Sequence, residues 1–477
     1  MSRLADRAVG ALIQGIRRLA PDNDGPNPWL EGSFAPVYEE VEQTALPVTG
    51  AVPPELDGLY ARIGPNPVHP PQHPGRYHWF SGDGMVHGVR LKDGRALWYR
   101  NRWVRTGPVS RALGEPPAPG PRRGVFETVN TNVIAHAGQI WALVEAGPFP
   151  VALNSRLETV AHTDLGGTLT TAFSPHPHLD PHTGELHAVC YDARVQNHLF
   201  HVVVGRDGRV SRLLAIPVRH GPMVHDCALT ERYVIVLDLP VTFSPRRLLR
   251  GVLMPYAWNP RHESRIGLLP RDDQATADDI QWCAVDPCYV FHTCNACDLP
   301  DGRVQLDVVA HDRMFDHSTI GPDSRRVTLE RWLLDPRRGT TVRTVLDDRG
   351  QEFPRMDARR IARPYRFAYT TSYGQESADG SCLYKHDLET GRLEAQRHGP
   401  GRETGEAVFV PRHPDAAEDD GWLLSFVHDA NRGASDLVIL NAQDVSGPPQ
   451  AVVHLSTRVP HGFHGNWIGA TEVAMGA

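Results

Sequence analysis

From Pro28 onward the chain alternates short apolar runs with turn residues, and this pattern predicts strands almost without interruption. The runs are rich in Val, Leu, Tyr and Trp. GVRLKDGRALWYRNRW (88–103), FHVVVGRDGRVSRLLAIPV (200–218), RVTLERWLLDPRRGTTVRTVL (326–346) and LYKHDLETGRLEAQR (383–397) each read as a hairpin. Asp93-Gly94, Asp207-Gly208, Asp301-Gly302, Thr183-Gly184 and Thr390-Gly391 supply the residues that tight connections need, because glycine reaches positive φ without a steric penalty. Long amphipathic helices are scarce after residue 20, and no linker interrupts the series. The expectation is a single all-β domain over 27–477, closed as a propeller. At this length radial repetition leaves few strand edges exposed.

Two stretches depart from the pattern. Leu4, Ala8, Leu12, Ile16 and Leu19 fall at helical spacing, with Arg3, Arg7, Arg17 and Arg18 among the polar positions. Residues 1–26 are therefore expected as an amphipathic helix or tail, either docked on the body or resting on a lipid surface. The segment 243–272 is apolar, arginine-studded and punctuated by proline. It reads either as a loop packed over the propeller or as a rim that admits an oily substrate or touches a membrane.

Composition narrows the function classes. The 43 Gly and 41 Pro among 477 residues fall short of low-complexity disorder, and 40% hydrophobic residues suffice for a core. A net charge of −7 excludes a general nucleic-acid binder held by phosphate contacts. Only Lys92 and Lys385 are lysines, so arginine carries nearly all the positive charge. No apolar run is long enough to span a bilayer, and the N-terminus lacks a clear cleavage site. With an odd seven cysteines, a reducing cytoplasm with free thiols is expected, with contact at the inner membrane face left open. Cys294 and Cys297 form a lone CxxC that reads as structural. His178 and Asp180 form an HxD, a weak metal signal in a chain with 25 histidines. No nucleophile elbow, P-loop or dinucleotide fingerprint is present.

The histidines stand in four settings at strand ends: SPHPHLDPHTGEL with His176 and His178, MVHDC with His225, YVFHTCNACD with His292, and VPHGFHGNW with His461 and His464. A propeller brings such ends round its axis, where separate strands can point imidazoles at one ion of Fe, Zn, Cu or Ni.

These blocks resemble the carotenoid cleavage oxygenases, the carotenoid oxygenase or retinal pigment epithelium protein family. NPWLEGSFAPVYEE (27–40), LPVTGAVPPELDGLYARIGPNP (46–67), YHWFSGDGMVHGVRL (77–91), NTNVIAHAGQIWALVEAG (130–147), EFPRMD (352–357) and GEAVFVPRHPDAAEDDGWLLSFV (405–427) carry the likeness in order, and it extends over 27–470. The resemblance implies a seven-bladed β-propeller with long loops forming a cap over an axial metal site. It implies a non-haem Fe(II) held by His176, His225, His292 and His464, and carboxylates Glu145, Glu352 and Glu406 hydrogen-bonded to three of those imidazoles. It further implies dioxygen as co-substrate and oxidative cleavage of a conjugated C=C bond to two carbonyls. Thr131, Phe291 and Trp103 match positions near the substrate tunnel. Stilbene-cleaving members carry a Tyr and a Lys for a phenol, matched here by Trp103 and Val144. The expected substrate is thus a carotenoid or apocarotenoid. A lignostilbene, or a propeller that binds carotenoid without reaction, is the alternative.

Overall fold

A computed structural model of the protein describes residue 15 and residues 25–124, 126–373 and 380–475. The expected N-terminal helix over 1–26 lies almost wholly outside the described residues.

Burial along the strands explains their composition. Strand Tyr233–Asp238 (YVIVLD) is buried at every position after Tyr233, and Leu186–Asp192 and Gly421–Asp429 are buried throughout. Strands covered on both faces read as continuous apolar runs, whereas an outer strand such as Val210–Pro217 alternates between half-buried and exposed over most of its length. All five turn dipeptides lie in connections between antiparallel strands. In the hairpin of Gly84–Lys92 with Arg95–Trp103, Asp93 and Gly94 have φ of 49° and 69°. Two positive φ values in a two-residue loop match the right-handed twist of the strands.

The strands form antiparallel sheets that follow one another along the chain, in a propeller-like arrangement. Sheets of four strands begin at Asn132, His178 and Gln351. Apolar clusters fill the spaces between neighbouring sheets. Trp141 and Leu143 of one sheet meet Leu186, Ala188 and Val202 of the next, and Tyr60, Val89 and Tyr99 meet Trp422, Leu424 and Leu437. Each buried Val or Leu among them contributes roughly 1.5–3 kcal/mol.

The two ends of the chain close the structure. Strand Gly465–Gly469 pairs antiparallel with Gly58–Pro65, and Val48–Gly50 pairs with Ala451–His454. Gly58 permits the first pairing, since a side chain there would collide with the Trp467 ring.

The expectation of seven separate blades needs correction. Among the described residues five sheets of four to six strands stand alone, beside one two-stranded ribbon. The remaining strands form one eight-stranded sheet, because Ala284 of Gln281–Ala284 bridges in parallel to Thr340 of Thr340–Asp347.

The 243–272 segment also divides. The strands Val241–Phe243 and Tyr256–Trp258 make the ribbon, with a helix Pro245–Leu249 at its tip capped by Ser244. Arg265–Pro270 is a regular strand of the eight-stranded sheet. The seven cysteines are all buried and free, and Cys294 and Cys297 lie on strand Tyr289–Asp298. No helix among the described residues is long and apolar enough to cross a membrane.

Candidate metal centre and its cavity

The four histidines come from four sheet edges. His176 directly precedes strand His178–Leu179, His225 precedes Ala228–Leu229, His292 lies in Tyr289–Asp298, and His464 precedes Gly465–Gly469. Each of these strands is the terminal strand of its sheet path or group, so the four ends face a common centre. One ring nitrogen of each imidazole lies within 4.8 Å of the other three. The Nε2 atoms of His176 and His225 are 3.0 Å apart, and those of His292 and His464 are 3.1 Å apart.

The opposite ring nitrogens face carboxylates. His225 Nδ1 lies 2.5 Å from Glu145 Oε2, His292 Nδ1 2.6 Å from Glu352 Oε2, and His464 Nδ1 2.9 Å from Glu406 Oε1. Each Nδ1–H donates to its carboxylate, which leaves Nε2 as a bare lone pair. Lone pairs converging at about 3 Å repel unless a cation lies among them. A divalent ion about 2.0–2.1 Å from two imidazole nitrogens at right angles would set them about 3.0 Å apart. The donor set therefore fits a metal. Imidazoles without a bound sulfur or carboxylate suit Zn, Cu, Fe or Ni.

Electrostatics favour neutral rings at His176 and His464 and ionised carboxylates at Glu352 and Glu406, whereas burial is outweighed at His292, which the Glu352 carboxylate raises. Burial and then the neighbouring imidazoles hold His176 well below its ordinary value, and burial takes His464 down to about 4. Burial alone would raise the carboxyl groups. Instead the His292 imidazole holds Glu352 well below the carboxylate range, and Arg355 and His464 bring Glu406 down to about 2. The Arg355 guanidinium lies 3.6 Å from Glu406.

Around this ring lie groups that sequence reasoning missed. The second oxygen of Glu352 accepts from His311 Nε2 at 2.8 Å, and His311 Nδ1 meets Ser324 Oγ at 2.9 Å. Asp226, next to His225, joins three ligand-bearing segments. Its Oδ2 accepts from the Thr293 N–H and hydroxyl at 2.8 and 2.9 Å, and its Oδ1 from the Cys227 N–H and from His178 Nε2 at 2.7 and 2.8 Å. The His-Asp pair in MVHDC was the available signal for Asp226. His311, in VVAHDR, carried none. Ala146 and Phe353, each following one of the carboxylates, have φ of 68° and 54°. Such strain, roughly 1–3 kcal/mol per residue, persists where the surroundings over-determine the backbone.

Of the expected tunnel residues, Phe291 and Thr131 line a cavity of about 1780 Å³ that reaches the histidines. The Phe291 ring stands edge-on to His225 at 5.3 Å, and the Thr131 hydroxyl donates to Asn130 Oδ1 at 3.0 Å. Trp103 is a correction. It sits in a core cluster with Val68, Met85 and Val109, away from the cavity, and its indole N–H donates to the Asn66 carbonyl at 2.8 Å. Strand Arg95–Trp103 ends on a buried position, so a large aromatic there is absorbed by packing. His178 is held by Asp226, and Asp180 by Arg271, so the HxD does not gather on one ion. The ribbon supplies cavity wall through Phe243, Leu248, Met254 and Tyr256.

Fold and site together define an all-β, propeller-like protein with a four-histidine cluster able to hold a metal ion in the wall of a large cavity. Residues 34–469 match the family described as retinal pigment epithelial membrane protein, and the chain belongs to that family, the carotenoid oxygenases. It is 42% identical to the carotenoid cleavage oxygenase of Mycobacterium tuberculosis over 94% of this chain and 99% of that one. It is 31% identical to the carotenoid 9,10(9',10')-cleavage dioxygenase of Crocus sativus, over 98% and 94% of the two chains. Among solved structures it resembles the lignostilbene dioxygenase of Pseudomonas brassicacearum, with a TM-score of 0.84 and 28% identity over 93% and 99% of the chains. It also resembles the cobalt-substituted Synechocystis apocarotenoid oxygenase, with a TM-score of 0.80 and 27% identity over 91% and 97%.

Proposed function

We propose that the protein is a non-haem Fe(II) dioxygenase that cleaves a conjugated C=C bond of a carotenoid or apocarotenoid to two carbonyl products, one oxygen atom of O2 going to each. The convergence of four Nε2 lone pairs, three of them braced by carboxylates, carries this reading. His176, His225, His292 and His464 would hold the iron, and Glu145, Glu352 and Glu406 would fix the tautomer and ring direction of their partners. Ferrous iron bound by neutral ligands supplies activation of dioxygen. The chain's own task is to exclude water and to hold one double bond of a long substrate beside the centre, which sets regiospecificity by position. Phe80, Phe291, Phe463 and Val144 give that wall its apolar character. Its volume of about 1780 Å³ exceeds the roughly 300–1,000 Å³ of pockets for drug-sized ligands, as a long polyene requires.

The lignostilbene alternative asks for a lysine beside the phenol. Val144 lines the cavity at the matching position, and the chain's two lysines lie elsewhere, Lys385 bound to Asp419 at 2.8 Å. This favours the polyene.

We read the eight-stranded sheet as two four-stranded blades joined by one parallel bridge, which gives seven blades, and the cavity-lining loops as the cap. Residues 27–477 then form a single domain. Leu249, 70% exposed beside the cavity-lining Leu248, is the point at which a lipophilic substrate would enter from a lipid surface.

The test is incubation of iron-loaded protein in air with a C40 carotenoid, an apocarotenal and resveratrol in parallel, with products resolved by chromatography. Paired aldehydes from a polyene are expected. Bleaching without aldehydes would refute the reading, and turnover of resveratrol alone would transfer it to stilbenes.

A further inference from the structure

The cavity continues beyond the histidines along a lane of aromatic rings. Phe80 lies 6.0 Å from Phe291, Phe463 5.3 Å from Phe80, Trp79 4.7 Å from Phe463, and Phe34 5.2 Å from Trp79. Beside Phe34 the lining turns polar, with Ser33, Glu403 and His428. Glu403 and His428 are direct cross-strand partners on Arg402–Thr404 and Gly421–Asp429, so their side chains share one face.

These groups are under-satisfied. Ser33 Oγ donates to Glu403 Oε2 at 2.7 Å, and the other Glu403 oxygen has neither a hydrogen bond nor an ion pair among the described residues. His428 is only 7% exposed, and neither of its ring nitrogens has a hydrogen-bond partner among the described residues. Burial lowers the basicity of the ring against the opposing pull of Glu403, and a neutral imidazole offers one N–H and one acceptor. Buried polar groups are paired in nearly all proteins, and an apolar ligand covering this corner would strand them.

We propose that Glu403 and His428 form a polar subsite for a hydroxyl group on the terminal ring of the polyene, the hydroxyl donating to the free Glu403 oxygen and accepting from the His428 N–H. A hydroxyl satisfies both partners at once, because its single oxygen both donates and accepts. The subsite makes the protein selective for ring-hydroxylated over hydrocarbon substrates, and it rests on the polyene-cleaving reading above.

Trp29 and Trp79 line the same cavity, so quenching of their fluorescence reports binding without turnover. Iron-loaded protein is titrated under argon with two apocarotenals of equal chain length, one ring-hydroxylated and one unsubstituted. The hydroxylated compound should bind at least about tenfold tighter, the scale of one hydrogen bond to a charged group. Glu403→Gln should narrow that ratio, and Glu403→Leu and His428→Phe should each bring it to about threefold or less. Thermal melts establish that each variant is folded. The same ratio is then measured in air as kcat/KM. A wild-type ratio near one, or a ratio retained in the folded Glu403→Leu and His428→Phe proteins, overturns the subsite. A ratio in binding with no cleavage in air sustains the subsite and removes the dioxygenase reading. Cleavage without a ratio does the reverse.

Discussion

The two ends of the cavity are built on opposite principles. At the histidines nearly every polar atom has a partner before any substrate arrives: Glu145, Glu352 and Glu406 hold three rings, His311 braces Glu352, and Asp226 ties together the segments that carry His225 and His292. At the other end, among the described residues, the His428 ring has no hydrogen-bond partner and the Glu403 carboxylate has one, Ser33. A centre that must place reacting groups is paid for in the fold itself, by preorganised bonds. A region that must recognise a substrate keeps its hydrogen-bonding capacity free until the substrate supplies the partner.

This contrast can be broken at several points. His225→Ala has the largest expected effect, loss of iron retention and of cleavage, read by metal analysis and product chromatography. A variant with full iron content would remove His225 from the ligand set. Removal of iron by a chelator should lower unfolding stability by about 2.7 kcal/mol relative to protein held at a hundredfold excess over its Kd. Chemical denaturation with and without chelator measures this, and coincident curves would show that the centre binds no ion under these conditions.

Glu352→Gln should weaken metal affinity by about 10–100-fold, because Glu352 serves both His292 and His311. Competition against a chromophoric chelator gives the number. An unchanged affinity would mean that the imidazoles hold their directions unaided, and the contrast between the two ends would lose its basis. The smallest effect is expected far from either end. Gly94→Ala, at φ of 69° in a hairpin turn, should cost about 1 kcal/mol of stability without changing iron content. A shift in iron content there would show that the centre depends on global stability rather than on its own bonds.

Much of this was legible in local sequence. The turn dipeptides marked the hairpins, and apolar runs marked strands buried on both faces. Ala137-Gly138 makes an equivalent turn, with φ of 49° and 75°, yet gave no comparable signal, since alanine has no preference for that conformation. The four histidines and three glutamates became candidates through ordered resemblance of whole blocks, not through spacing. Trp103 was misread because a strand-end aromatic looks the same whether it faces a cavity or a core. The merger of two sheets through Ala284 and Thr340 has no local signature either.

The amino-acid order by itself determined which segments become strands, where they turn and which residue types gather at their ends, because propensity, periodicity and turn geometry act over a few neighbouring residues. The tertiary structure alone decided which nitrogen faces which carboxylate and which polar groups stay unpaired. Those facts depend on closing the ring of sheets, where strand Gly465–Gly469 meets Gly58–Pro65 from the other end of the chain and sets His464 beside His292.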